Sequence, residues 1–290
     1  MTAAPATVTA TTGRGPVEYL DSGGDGAPVL FVHGTPGGCD QGELMGRFLV
    51  DAGFRVIAPS RPGYLQTPLD DDRATPAQQA GLHAALLESL DLDRVSLVCW
   101  SGGGPSSYQL AIERPDLVAA IVAIAAVSQP YTFEHPGEER AMFGRPGTWL
   151  VRELVRHAPH STVKMLVGEE GELSKEDTRA LVDKVWQDDV TRQWVLDWAV
   201  TVSGHRRAGF DNDRDQFPSI ELDLASITAP VLLVHADTDS DVPIAHSDHA
   251  AGVLPNADRL TLADGTHISA WTGPDQAATQ ARIVEVLRAV

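Results

Sequence analysis

Residues 99–104 read Cys99-Trp100-Ser101-Gly102-Gly103-Gly104. The run before them, Arg94-Val95-Ser96-Leu97-Val98, has the apolar character of a buried strand. The run after them, Pro105-Ser106-Ser107-Tyr108-Gln109-Leu110-Ala111-Ile112-Glu113, reads as a helix. A serine at such a strand-to-helix turn sits on a sharp, strained bend. Only residues with little or no Cβ can crowd beside it, so Gly102 and Gly103 meet the steric need. The Ser101 hydroxyl is expected to project from the carboxyl edge of a sheet at a helix N-terminus, where free N–H groups and the helix dipole favour a developing negative charge. Ser-x-Gly alone also fits a plain Gly/Ser loop in a chain with 26 glycines. The weight comes from three further loops.

The first is His33-Gly34-Thr35-Pro36-Gly37-Gly38, after the strand-like run Pro28-Val29-Leu30-Phe31-Val32. A Gly-rich turn there could cradle a phosphate, but no G-x-x-x-x-G-K-[ST] occurs and no G-x-G-x-x-G opens a helix after a strand. The other role for such a loop is an oxyanion hole, with the Thr35 N–H aimed at the same space as the Gly102 N–H. The second is Val231-Leu232-Leu233-Val234-His235-Ala236-Asp237-Thr238-Asp239-Ser240-Asp241-Val242-Pro243, a buried strand ending in three aspartates. Aspartate suits turns, so composition does not choose among them. The third is Asp264-Gly265-Thr266-His267, after Arg259-Leu260-Thr261-Leu262-Ala263.

The chain resembles the α/β-hydrolase-fold serine hydrolases with a helical cap, an esterase and proline iminopeptidase-like superfamily, from about Val17 to the C-terminus. The markers are His33-Gly34-Thr35-Pro36-Gly37, Ser60-Arg61-Pro62-Gly63-Tyr64, Trp100-Ser101-Gly102-Gly103, Asp239-Ser240-Asp241-Val242-Pro243 and Gly265-Thr266-His267. The order Ser101, Asp239, His267 is that of α/β-hydrolase triads. In this family the triad acid stands four residues before a proline, which selects Asp239 over Asp237 and Asp241. Some families place the acid after the earlier strand instead, here expected over Leu117 to Val127; that strand ends in Ser128-Gln129-Pro130, with no acid. The chain departs from the pattern at Cys99 and Ala236, where glycine is usual, and at Leu65, where it is frequent. The resemblance implies a mostly parallel eight-stranded sheet flanked by helices, with Ser101, Asp239 and His267 as the triad and the N–H groups of Thr35 and Gly102 as the oxyanion hole. His33 is expected to order that loop and not to act as a base.

Composition agrees. The chain has 290 residues, 43% hydrophobic, enough for one large domain with an insertion. Strand-like and helical runs alternate, which argues for a parallel sheet covered by helices. Thr75, Pro76 and Gln78 form a helix start with a capping box, running to about Ser89, with Leu82, Leu86 and Leu87 on one face. The alternation stops from about Gln129 to Ser226, so residues 129–226 are expected to be a helical cap between core segments 1–128 and 227–290. Ser174 followed by Asp177 signals a helix start there. Trp186, Val190, Trp194 and Trp198 recur every fourth residue, which predicts one shared helix face. That face either packs on the core or lines a substrate pocket, with Trp100, Trp194 and Trp198 as the candidate substrate-binding residues.

The formal net charge is −18, from 40 Asp and Glu against 22 Lys and Arg. Nucleic-acid and anionic-membrane binding need clustered cations and are disfavoured. The field mildly favours neutral or cationic small-molecule substrates. Cys39 and Cys99 are too few for a disulfide framework. Residues 1–12 lack a basic region and an apolar core, so no signal peptide is expected, and no run reaches the ~20 apolar residues of a spanning helix; a cytoplasmic protein is the expectation. His246 and His249, like His157 and His160, are three residues apart, but neither pair has a third ligand nearby, so no metal is expected. The chemistry needs no cofactor.

A triad does not name a substrate. A small carboxylic ester or lactone is the first expectation. Peptide chemistry of the proline iminopeptidase kind is the second, with Glu169, Glu170 and Glu172 placed to bind an amino terminus. Carbon–carbon bond cleavage or lyase chemistry and a non-catalytic ligand receptor are the others. Epoxide hydrolase and haloalkane dehalogenase chemistry need Asp where Ser101 stands.

Overall fold

The structure is a computed structural model that describes residues 7–133 and 143–290, with only the backbone of Arg145. Its strands are β1 (Val8–Thr12), β2 (Gly15–Asp21), β3 (Pro28–Val32), β4 (Arg55–Pro59), β5 (Val95–Trp100), β6 (Val118–Ile124), β7 (Val231–Ala236) and β8 (Ala257–Leu262). They form one eight-stranded sheet in the order β1-β2-β4-β3-β5-β6-β7-β8. Only the pairings made by β2 are antiparallel. The continuous apolar runs mark the central strands: β5 and β7 are buried along their whole length, as expected where helices cover both faces.

The two-residue period of the strands divides the core. Val29, Phe31, Val98, Trp100, Val122, Ile124, Leu232 and Val234 belong to one apolar cluster. Their alternates Leu30, Val32, Leu97, Cys99, Ile121, Ala123, Val231 and Leu233 belong to the other, across the sheet. The helices α1 (Cys39–Asp51) and α11 (Gln276–Arg288) cover the first face, and α2 (Pro76–Ser89) and α3 (Gly104–Glu113) the second. Two further helices, α9 (Ala245–Val253) and the short α10 (Ser269–Thr272), follow β7 and β8.

The strand expected over Leu117 to Val127 is shorter. It ends at Ile124, where Ala125 takes a φ of +46° and turns the chain. Between β6 and β7 lie α4 (Arg145–His157), α5 (Pro159–Glu169), α6 (Lys175–Gln187), α7 (Asp189–Thr201) and α8 (Arg207–Gln216). Val151, Val163, Val185, Val195 and Trp198 of this segment share the first apolar cluster with the sheet, so it rests on the main core. Ser174 caps α6 by accepting the Asp177 N–H at 3.1 Å, as expected. The continuous face through Trp186, Val190, Trp194 and Trp198 does not form. Asp188 accepts the Thr191 N–H at 2.7 Å and starts α7, leaving Trp186 on α6 and Val190 80% exposed in the first turn of α7. A competing N-cap outweighs the four-residue spacing. Among the described residues no helix is long and apolar enough to cross a membrane.

The start of α2 forms as its sequence predicts. Thr75 Oγ1 accepts the Gln78 N–H at 3.3 Å and Gln78 Oε1 accepts the Thr75 N–H at 2.9 Å. Thr75→Ala is expected to cost about 1 kcal/mol, seen as a lower urea midpoint at unchanged m-value. Thr75→Ser should keep most of that stability. Equal midpoints for wild type and Thr75→Ala would show that the cap contributes nothing.

Candidate active site

Ser101 follows β5 directly and has a φ of +53°, the left-handed region that costs a non-glycine residue conformational energy. The chain then makes one 3-10 turn, Ser101–Gly103, into α3. Three glycines make that turn possible by close approach. A Cβ on Gly102 would overlap the Thr35 hydroxyl, and one on Gly103 would stand 2.5 Å from Val32 O and 2.7 Å from His33 O. A Cβ on Gly104 would overlap Val127 O, and the Val127 N–H donates to Ser101 O at 3.0 Å. The loops after β3 and β6 are thus pressed against the turn from both sides. Cys99, in place of the usual glycine, is fully buried in the second cluster. Burial pushes its thiol up to about 12, and that of Cys39 likewise to about 12, so neither is a reactive thiolate. Leu65, another departure, takes a φ of +50°, the conformation in which glycine would be free of strain.

The loops after β7 and β8 bring Asp239 and His267 together. His267 Nδ1 lies 2.7 Å from Asp239 Oδ2. The other carboxylate oxygen, Oδ1, accepts the N–H groups of Asp241 and Val242, both at 2.9 Å. His235 Nε2 stands 2.8 Å from Val242 O and 3.3 Å from Asp239 Oδ2, with its Nδ1 on Ser247 Oγ at 2.6 Å. Burial works against the Asp239 charge, but the two imidazoles outweigh it and hold the carboxyl at about 2. Burial likewise works against a charged His267, and the Asp239 carboxylate overcomes it, raising the imidazole above its ordinary 6.5. His267 is 2% exposed, and its Nε2 has no hydrogen-bond partner among the described residues. Of the other two aspartates, Asp237 is exposed. Asp241 is more than a turn residue, because its Oδ2 lies 4.0 Å from His267 Nε2.

His33 is held apart from this pair. Its Nε2 accepts the Arg61 N–H at 2.9 Å, so the ring proton is on Nδ1, which donates to Gly34 O at 2.7 Å. Burial pushes its pKa well below 6.5, so the ring is neutral and serves as a loop brace. Gln41 completes the brace: its Oε1 accepts the Gly34 N–H and its Nε2 donates to Pro36 O, both at 3.0 Å.

Ser101, Thr35, Gly102 and Asp241 line one narrow cleft with room of about 20 Å³, and the rings of Tyr131, Phe133 and Phe217 form its apolar wall. Trp100, Trp194 and Trp198 do not line it. Trp194 stacks on Trp198 and on Trp271, with ring centroids 6.3 and 5.7 Å apart. Trp100 lies 4.8 Å from the His267 ring and donates from Nε1 to His267 O at 3.2 Å. These tryptophans form an apolar floor behind His267, where their large rings bury the most surface. The aromatic wall was signalled only by Tyr131 and Phe133, two residues apart just after β6, and by Phe217.

The connection from α5 to α6 reaches the same region. Glu170 O accepts the His267 N–H at 2.8 Å, and the Glu172 N–H donates to Thr238 O at 2.8 Å. Gly171 pairs with Asp239 as an isolated bridge, and Ser240 Oγ donates to Glu169 O at 2.9 Å. Burial and the nearby Asp241 and Asp239 charges push the Glu170 carboxyl well above its ordinary value, and the Asp241 carboxyl beside it, on a side chain still 55% exposed, is raised too by desolvation and the Asp239 charge. The paired histidines have other partners: His157 faces Glu153, His160 packs edge-on to Trp186, and His246 Nδ1 accepts the Ser128 N–H. Among the described residues, no three His, Cys, Asp or Glu side chains are grouped as a metal would require.

Residues 27–274 match the family described as alpha/beta hydrolase fold. An alpha/beta hydrolase fold protein from Nakamurella multipartita superposes with a TM-score of 0.93 at 42% identity, covering 98% of this chain and 99% of that one. An uncharacterized hydrolase of Bacillus subtilis is 26% identical over 93% of this chain and 94% of its own. An esterase from Thermogutta terrifontis shares the fold, with a TM-score of 0.64 at 22% identity over 98% of both chains. By sequence and by architecture, the chain belongs to the alpha/beta hydrolase fold family and is a hydrolase.

Proposed function

We propose that this hydrolase cleaves a small carboxylic ester or lactone by way of an acyl-enzyme on Ser101. The observation that carries the reading is the buried His267 ring, with one nitrogen 2.7 Å from Asp239 and the other unpartnered among the described residues, together with a serine at a φ of +53° that lines a cleft with Thr35, Gly102 and Asp241, the last 4.0 Å from that second nitrogen. A ring so placed has one nitrogen left to accept a proton from Ser101.

The steps follow from that arrangement. His267 Nε2 takes the Ser101 proton as Oγ attacks the carbonyl carbon, and then passes it to the leaving alkoxide. Asp239 fixes the tautomer with the proton on Nδ1 and stabilises the imidazolium. The Thr35 N–H and the Gly102 N–H, an orphan donor in the first turn of a helix, receive the oxyanion; one such donor is worth about 3–4 kcal/mol in the transition state. Water, activated by the same nitrogen, then releases the acid. The narrow cleft favours a small substrate. The adjacent Asp241 and the net charge of −18 favour one without an anionic group. The Thermogutta terrifontis neighbour is itself an esterase.

An organophosphonate ester is expected to add one covalent group, found on Ser101 by peptide mapping, and Ser101→Ala should lose several orders of magnitude in turnover of a p-nitrophenyl ester. A label on Ser106 or Ser107 would overturn the assignment.

Asp239 and Asp237 separate by kinetics. Asp239→Asn favours the wrong imidazole tautomer, a change that costs about 10⁴ in kcat in serine proteases. Asp237→Asn should stay within about tenfold of wild type, an effect of 1.4 kcal/mol or less. Collapse of Asp237→Asn with Asp239→Asn near normal would reject the triad.

The pH profile tests the electrostatics. Protonated His267 cannot accept the serine proton, so kcat/KM should fall as pH drops. Because Asp239 stabilises the imidazolium, the midpoint should lie above the ordinary 6.5. Asp239→Asn removes that charge and should move the midpoint of its residual activity to lower pH; an unmoved midpoint would show that another group titrates.

A further inference from the structure

A buried ionic cluster stands immediately behind the Thr35 side of the cleft. Arg61 and Asp213 are each 1% exposed and form a bidentate pair, Nη1 to Oδ1 at 2.9 Å and Nη2 to Oδ2 at 2.8 Å. Asp213 is carried by α8, the last helix of the segment between β6 and β7, while Arg61 follows β4. Asp213 Oδ2 also accepts the Thr35 hydroxyl and the Tyr64 hydroxyl, each at 2.5 Å. Arg61 Nη2 donates in turn to Thr35 Oγ1 at 2.8 Å and to Gly34 O at 2.9 Å. Burying an ion pair costs desolvation that a well-packed apolar pair would avoid, so the pair is weak grounds for stability alone. What it supplies is position. The Thr35 side chain is fixed by one donor and one acceptor, and a Cβ on Gly102 would overlap its hydroxyl. The backbone at Thr35 cannot shift without breaking one of these contacts.

We propose that Asp213 is a positioning residue that, through the Thr35 hydroxyl and Arg61, sets the Thr35 N–H at the oxyanion position. The inference rests on the serine-hydrolase reading above. It makes the far end of the helical segment part of the transition-state machinery without any contact to substrate. Tyr64 donates to the same carboxylate and its hydroxyl also meets the Thr35 hydroxyl, so it belongs to the same linkage. Its hydroxyl stays protonated, because burial and the Asp213 charge push its pKa well above 10.0.

The test uses the full chain with a p-nitrophenyl ester and the same organophosphonate. A misplaced donor costs on the order of 10² in rate. Asp213→Asn and Thr35→Val are each expected to lose about that factor in kcat, with KM within about threefold and phosphonylation of Ser101 slowed in the same proportion. Thr35→Ser, which keeps the hydroxyl, should recover most of the rate. The Thr35→Val/Asp213→Asn double variant should be no slower than the worse single variant, because both remove one linkage. If Asp213→Asn does not fold, Thr35→Val against Thr35→Ser decides. Wild-type kcat in Thr35→Val, equal loss in Thr35→Val and Thr35→Ser, or additive losses in a folded double variant overturns the proposal. Failure of the wild type to label at Ser101 would instead reject the serine-hydrolase reading itself.

Discussion

Crowding at one turn governs this molecule. To place a side chain at the carboxyl edge of the sheet, the chain must leave β5 and enter α3 within one strained residue, Ser101, at a φ of +53°. That is possible only if the loops after β3 and β6 close on the turn, and they do so up to the backbone: Val32 O and His33 O on one side, Val127 O on the other. Strain of this kind persists only when the surroundings over-determine it. Here the surroundings are the loops after β3 and β6, the fully buried β5, and a helix start without room for any Cβ at residues 102–104. The same closure brings Thr35 against Gly102, so the steric solution to the turn also builds the proposed oxyanion hole.

Electrostatics at the site are organised by unequal access to hydrogen-bond donors. Asp239 is surrounded by donors, with two backbone N–H groups and two imidazoles, and remains ionised. Glu170 and Asp241 lack such a set, and their carboxyls are pushed up. Three carboxyl groups near one imidazole therefore differ in character, and only the fully solvated-by-protein one carries a firm charge. His33 and His267 differ by the same logic. One accepts a backbone N–H and sits by an arginine, so it stays neutral; the other faces a carboxylate, so it favours its proton.

Much of this was legible in the residues because it rests on local chemistry. The Thr75 and Ser174 caps, the apolar strands and the glycines after Ser101 each state their conformation within a few positions. The pairing of Asp239 with His267 was legible from a spacing to proline and from chain order. What was not legible depends on distant partners. Trp194 and Trp198 have the spacing of a pocket wall, and whether they face ligand or core was decided by Trp271, 77 and 73 positions further on. Asp188 broke the expected face because its capping strength competes with periodicity. Nothing within the sequence of α8 marks Asp213 as the partner of Arg61, since Asp211 and Asp215 stand at the same kind of surface-helix spacing.

The stitching of residues 169–172 to the loops that carry Asp239 and His267 has an evolutionary consequence. A helical insertion is often treated as a detachable module, exchanged between relatives to change specificity. Here three hydrogen bonds tie its middle to the Asp239 and His267 loops, with the Glu170 carbonyl holding the His267 N–H itself. A transplanted insertion would have to reproduce that seam to the residue. Change toward new substrates is correspondingly easier at Phe133 and Phe217, which wall the cleft away from that seam.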